Sequence, residues 1–213
     1  MAKQPKGGHL VPHLARRERG TALTVHTRRE TLPDGTIGAV GFIDMSNAEV
    51  PERSYLAEAC GARYQKETVS ILFAQPKLDS GLRSMALVSM TPLATAQFVQ
   101  SIESMRDPSL QEMSKQLKIE PERLIDFPTT EPEQTASLIA NVVAVAVSGR
   151  DSCMDFYHAN AFSYLHLKTN NHMYLEPVVR VNLRTSLLLA LMPCLKEFQT
   201  NFPPDAALWE EKP

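Results

Sequence analysis

Apolar and polar positions follow the same order of elements twice along this chain. One stretch runs from Ser54 to Met105 and the other from Ser137 to Phe198, and in each an amphipathic helix follows three β-like runs. Patterns that recur in this way usually come from repeated structural units. The sequence therefore predicts an α+β fold of two tandem strand-rich units in a pseudo-twofold arrangement, each ending in a helix packed on an antiparallel sheet.

The first unit contains three predicted strands and one predicted helix. The strands are Ser54 to Ala62, Val69 to Ala74 and Ser84 to Met90, where apolar residues lie between turn residues. The first of them also fits a helix by its local pattern, so its assignment rests on its counterpart in the second unit. Thr91 and Pro92 indicate the start of the helix, because threonine is a good cap and proline suits the first helical position.

The second unit repeats this order with a longer loop. Its predicted strands are Ser137 to Val147, Cys153 to Tyr157 and Pro177 to Leu183. The loop before the third strand runs from Asn160 to Glu176, and Tyr164 to Leu167 could add a strand there. The final helix covers Thr185 to Phe198, and Pro193 predicts a bend or an end because proline lacks the amide hydrogen.

Other segments flank the two units. A β-hairpin is predicted from Ala22 to Thr31 and from Ile37 to Ile43, around a turn at Pro33, Asp34 and Gly35. The complete division is an arm at 1–20, the hairpin and a connection at 21–52, the first unit at 53–106, a connector at 107–135, the second unit at 136–200 and a tail at 201–213. Within the connector, a short helix is predicted over Pro121 to Ile125.

The composition is that of a soluble globular protein, with 43% hydrophobic and 22% charged residues among 213. No apolar run approaches the roughly 18 residues that a membrane-spanning helix needs. The three cysteines, Cys60, Cys153 and Cys194, are too few and too widely spaced for a disulfide framework. A reducing cytoplasm is therefore the expected location, with no membrane partner.

The net charge of -2 hides an uneven distribution. Seven basic side chains against one acidic side chain give the segment before residue 30 a charge of +6, so the remainder carries -8. This segment is either a solvated basic arm or one that contacts an acidic partner or phosphates. The arginines that would bind nucleic acid are Arg16, Arg17, Arg19, Arg28 and Arg29.

The residues with reactive side chains do not form a recognisable catalytic or metal motif. Cys153 lies near Asp155 and His158, but a nucleophile needs a base at hydrogen-bonding distance, which sequence proximity does not supply. The spacing of His158, His166 and His172 is not that of a zinc site. We expect no cofactor and no metal, and we expect Asp155 to form a structural ion pair with Arg180, because a buried carboxylate needs a partner.

Several short motifs resemble a known family. In the second unit they are Ala140-Asn141, Ser148, Asp151, Met154-Asp155-Phe156 and the run from Glu176 to Val181. In the first unit, Val88 to Pro92 has the corresponding strand-to-helix junction, whereas Val69 to Phe73 lacks the aspartate. These motifs resemble the bacterial domain-of-unknown-function family 3467. The resemblance implies a tandem β-β-β-helix fold and supplies no catalytic residues.

The final helix and the absence of a polar constellation lead to the functional hypothesis. Apolar residues cover most of the helix from Thr185 to Phe198, so the helix either lies between the two units or forms an oligomer interface. We expect a non-catalytic protein-interaction or assembly protein, with nucleic-acid binding through the basic arm as the alternative. Besides the arginines of the arm, the candidate interaction residues are His166, Asn170, Asn171 and His172.

Overall fold

The structure, a computed structural model, describes residues 20–31, 37–77, 81–105 and 135–203, and these form a mixed α+β fold. The strands are β1 (Thr21–Thr31), β2 (Ile37–Ile43), β3 (Ser54–Ala57), β4 (Ala59–Gln65), β5 (Thr68–Pro76), β6 (Leu82–Met90), β7 (Ala136–Ala140), β8 (Val142–Ser148), β9 (Asp151–His158) and β10 (His172–Arg184). The helices are α1 (Pro92–Ser104), α2 (Ala161–Asn170) and α3 (Thr185–Asn201). The helices pack against sheets that are mostly antiparallel.

The strands form two sheets. Sheet I has the order β2-β1-β10-β9-β8, and β3 pairs in parallel with the second half of β10. Sheet II has the order β4-β5-β6-β7, in which β6 and β7 are parallel. The long strand β10 carries β1 along its first half and β3 along its second half.

The chain passes from one sheet to the other at Glu58 and again at Asn141. Each of these residues interrupts what the sequence predicts as a single strand, so both predictions of one continuous strand are wrong at this point. The backbone N–H of Glu58 donates to the carbonyl of Ala74, and that of Asn141 donates to the carbonyl of Tyr157, both at 3.0 Å. The first bond marks the passage from β3 of sheet I to β4 of sheet II, and the second marks the passage from β7 of sheet II to β8 of sheet I.

One main core joins the inner faces of both sheets with α1 and α3. Helix α1 packs against β8 and α3 packs against β4, and the two helices contact each other. The largest side chains buried in this core are Phe73, Phe98, Phe156 and Phe198. The apolar surface of α3 is therefore covered inside the molecule by β4 and α1, rather than exposed as an oligomer interface would require.

A second, smaller cluster lies on the opposite face of sheet I, beneath α2. The sequence suggested a strand from Tyr164 to Leu167, and that suggestion is wrong, because these residues lie in α2. The side chain of Asn160 accepts a hydrogen bond from the backbone of Ser163 and caps the helix. Leu167 then packs into the cluster, so tertiary contacts and a local cap together select helix over strand.

The last strand and the last helix are both longer than the sequence predicts. Strand β10 begins at His172 rather than at Pro177, so the expected loop is mostly α2 and the start of β10. Helix α3 does not end at Pro193 but continues to Asn201. Pro193 is exposed, and the helix is held on both sides of it by Leu191 and Leu195 in the core.

The predicted hairpin is confirmed as the antiparallel pair β1 and β2. Strand β1 also extends sheet I by pairing with β10 from Thr21 to Thr24. The chain enters β1 at Gly20, whose φ of 95° and close approach to the Leu175 carbonyl leave no room for a β-carbon. The predicted turn at residues 33–35 and the connector helix at residues 121–125 lie outside the described residues.

Within the described ranges, none of the helices has the length and apolar character that crossing a membrane requires.

Candidate functional site

The outer face of sheet I, opposite the main core, holds the most distinctive surface of the described residues. Side chains that face one another across β3, β10, β9 and β8 form rows on this face. The central row consists of Leu56, Asn182, Cys153 and Ala146. The next row, towards α2, consists of Ser54, Arg180, Asp155 and Ala144.

A groove with a volume of about 580 Å³ lies over the central row. Leu56 stands at one side of it and is 55% exposed, although leucine is normally buried. Ala146 and Cys153 line the groove, and their small side chains leave space above the sheet. The rim is charged and contains four charged residues, Glu58, Arg150, Asp151 and Arg184. The surface is therefore an apolar depression with an ionic border.

The start of α3 holds the rim in place. The hydroxyl of Thr185, which is fully buried, donates to the carbonyl of Gly149 at 2.9 Å and lies 2.7 Å from the hydroxyl of Ser152. The backbone N–H of Thr185 donates to the carbonyl of Arg150 at 2.8 Å. The turn between β8 and β9 is thus attached to the helix, and its charged side chains border the groove from a fixed backbone.

Beside the groove, the structure brings Asp155 and Arg180 together. Nε of Arg180 donates to Oδ1 of Asp155 at 2.6 Å, and Nη2 donates to Oδ2 at 2.5 Å. The side chain of Asp155 is only 12% exposed, against 30% for Arg180. Hydrogen bonding to the carboxylate raises the pKa of Arg180. This bidentate geometry is the strong form of an arginine–carboxylate pair.

Two further side chains share the carboxylate. The hydroxyl of Tyr157 donates to Asp155 at 3.5 Å and the thiol of Cys153 at 3.6 Å, both long contacts. Burial, with a smaller effect of the Asp155 charge, raises the pKa of Cys153 and raises that of Tyr157 to about 12. The thiol therefore stays protonated at neutral pH, whereas a nucleophilic cysteine requires a lowered pKa.

The histidines and asparagines predicted for interaction lie elsewhere. The ring of His166 packs edge-on against Tyr174, with centroids 5.1 Å apart. Asn170 and His172 bond to each other in the turn after α2, and the backbone N–H of His172 donates to Oδ1 of Asn170. Asn171 adopts a left-handed conformation with φ of 56°, and its carbonyl accepts a bond from Val25. These contacts join α2, β1 and β10, away from the groove.

Most of the arginines predicted to bind nucleic acid lie outside the described residues. Arg16, Arg17 and Arg19 precede the described residues, and the side chain of Arg28 is also outside them. Arg29 is exposed on β1, opposite Ala39 of β2. Within the part of the chain that the structure describes, no three His, Cys, Asp or Glu side chains are grouped as a metal ion would require.

The sequence does not indicate the groove itself. Leu56 reaches the groove only because β3 pairs with β10, about 125 positions later in the chain, and no local pattern indicates that pairing. A scan against protein-family models, a search of curated proteins and a search of solved structures each found no match to the chain.

Proposed function

We propose that this chain is a non-catalytic interaction or assembly protein of a bacterial-type cytoplasm, and that the groove of sheet I is its contact surface. The observation that carries the proposal is the exposed Leu56 beside a depression with small side chains on its floor. Interfaces typically have an apolar centre and a polar rim, as this groove does. The occupant is a protein partner or a second copy of the chain.

The proposal includes a pseudo-twofold arrangement of two duplicated units, the first at residues 53–106 and the second at 136–200. The strand pairings support it, because β3 of the first unit pairs with β10 and β7 of the second unit pairs with β6, both in parallel. Both long antiparallel strand pairs also have a bulge at the corresponding place, at Met85 of β6 next to the partner of Phe73 and at Val178 of β10 next to the partner of Phe156. The family resemblance described for the sequence implies the same arrangement.

The strand register gives residues of the groove in sheet I counterparts in sheet II. Leu56 faces Asn182, and Ile139 faces Ser89 at the corresponding position of sheet II. Ile139 is 67% exposed, so both positions present a large apolar side chain to solvent. Ile139 is therefore a matched control for Leu56. Both side chains are exposed, but only Leu56 is among the residues that line the groove.

The test compares Leu56→Asp with Ile139→Asp in the full chain. Size-exclusion chromatography with light scattering, over a range of concentrations, measures self-association. Cross-linking in cells that express the protein, followed by mass spectrometry, measures contacts to another protein. We expect Leu56→Asp to remove the association and Ile139→Asp to retain it, with both variants unfolding at similar temperatures.

Equal effects of the two substitutions on association would contradict the assignment of the groove. A monomer at every concentration, with no cross-link through residues of the groove, would contradict the interaction function as a whole. Thermal unfolding is measured on the same samples, so a loss of association can be distinguished from a loss of folding.

Nucleic-acid binding through the arm is the alternative, and its support is the +6 charge before residue 30. Proteins that contact phosphates through Lys and Arg lose affinity steeply as salt rises. If the alternative holds, the full chain binds DNA or RNA at low salt, and deletion of residues 1–19, which precede β1, strongly weakens that binding. If nucleic-acid binding is unchanged by the deletion and by added salt, the arm is not the binding element.

A further inference from the structure

The two sheets present similar side chains to the main core. The facing pairs are Ile71–Val88 and Phe73–Ala86 in sheet II, and Met154–Val181 and Phe156–Val179 in sheet I. All eight side chains are buried in the same core. Because apolar residues of similar volume replace one another at small cost, core packing discriminates weakly between the native strand pairs and crossed pairs. In a crossed chain, β9 would pair with β6 or β5 with β10.

The outer faces differ at one buried position. Leu72 faces Leu87 in sheet II, and Asp155 faces Arg180 at the corresponding position of sheet I. The leucines are 2% and 4% exposed, and Asp155 is 9% exposed. A crossed pairing would place Asp155 opposite Leu87, and the carboxylate would lose its arginine. Removing one partner of a buried ion pair is strongly destabilising, because the other charge stays buried without compensation.

We infer that the Asp155–Arg180 pair is a pairing-specificity device, which prevents strands of one unit from pairing with the corresponding strands of the other. The pair adds little net stability compared with two leucines, since desolvation offsets much of its attraction. Its effect is to raise the free energy of crossed pairings. This role is independent of the partner that the groove binds.

The same pair also fixes the register between β9 and β10. A slip of two residues would keep every side chain on its own face, so the core alone opposes it only through altered packing. After such a slip Asp155 would face Asn182 instead of Arg180. The bidentate ion pair forms in the native register alone.

Cys153 provides a reporter of strand pairing. In the native structure it faces Asn182, whereas in a crossed pairing of β9 with β6 it would face Ser89. A Ser89→Cys substitution therefore allows a disulfide to Cys153 only in crossed chains. An Asn182→Cys substitution allows a disulfide to Cys153 in native chains and serves as the control. Both disulfides are quantified by mass spectrometry after oxidative refolding.

The experiment changes the Asp155–Arg180 pair and the corresponding Leu72–Leu87 pair. Each variant is made both with Ser89→Cys and with Asn182→Cys. One variant replaces the ion pair by leucines, Asp155→Leu with Arg180→Leu. Another adds Leu72→Asp with Leu87→Arg to those two changes, which moves the ion pair to the first unit. A third, Asp155→Asn with Arg180→Gln, removes the charges at nearly constant shape and covers the case in which the leucine variant does not fold.

We expect the crossed disulfide to rise severalfold when the charges are removed, and to fall again when the ion pair is moved to the first unit. A crossed disulfide that stays at the level of the unchanged chain in both charge-free variants overturns the inference. So does a rise that persists after the pair is moved, because asymmetry between the units would then not be the cause.

Discussion

The outer faces of the two sheets differ far more than their inner faces do. Towards the core, both present pairs of apolar side chains around a phenylalanine, Phe73 in one and Phe156 in the other. On the outside, sheet II has buried leucines and two serines whose hydroxyls are 2.9 Å apart, Ser70 and Ser89. Sheet I has an ion pair and an open groove. The inner faces build the common core, and the outer faces distinguish the two sheets.

The largest effect that would break this comparison is the loss of one partner of the ion pair. Arg180→Ala leaves the buried Asp155 carboxylate without its arginine, and we expect the free energy of unfolding to fall by about 3 kcal/mol. Urea denaturation at neutral pH measures it. The charge-free pair Asp155→Leu with Arg180→Leu is the control and should cost about 1 kcal/mol or less. Similar losses in the two variants would show that the pair acts through packing instead.

The starts of the two helices sharpen the comparison with a smaller effect. Thr185 is buried and bonds to Gly149 and Ser152, so Thr185→Val leaves polar groups unsatisfied and should cost about 2 kcal/mol. Thr91 caps α1 through a 3.4 Å bond to the backbone of Ala94, and Thr91→Val should cost about 1 kcal/mol. Chemical denaturation of both variants measures the difference. The reverse order would contradict the role of Thr185 as the anchor of the rim.

The smallest expected effect is a pH dependence of stability that arises from Tyr157, whose hydroxyl contacts Asp155 of the ion pair. Burial raises the pKa of Tyr157 from 10.0 to about 12, so the folded chain keeps this proton where the unfolded chain has lost it. The stabilisation is complete below the unfolded pKa and is lost as the pH rises from 10 to 12. Urea midpoints should therefore fall less for Tyr157→Phe than for the unchanged chain over that interval. Parallel curves for the two proteins would disprove the assignment.

Local chemistry explains which parts of the fold could be predicted. Thr91 and Pro92 mark the start of α1, and the alternation of β1 and β2 indicates their hairpin, because caps and periodicity act between near neighbours. The strand between Tyr164 and Leu167 was wrongly suggested, since α2 depends on its contacts with sheet I as well as on its cap at Asn160. The expected ion pair could be named because a buried charge requires a partner of opposite sign.

The sequence by itself determined the amphipathic elements and the excess of positive charge near the start, and it predicts that the order of the elements repeats. Each of these follows from residues close together in the chain. Only the tertiary structure decided that the chain changes sheets at Glu58 and Asn141, and that Leu56 stands beside the rim formed by Arg150 and Arg184. Those placements depend on hydrogen bonds between strands far apart in sequence, and local propensity carries no information about such partners.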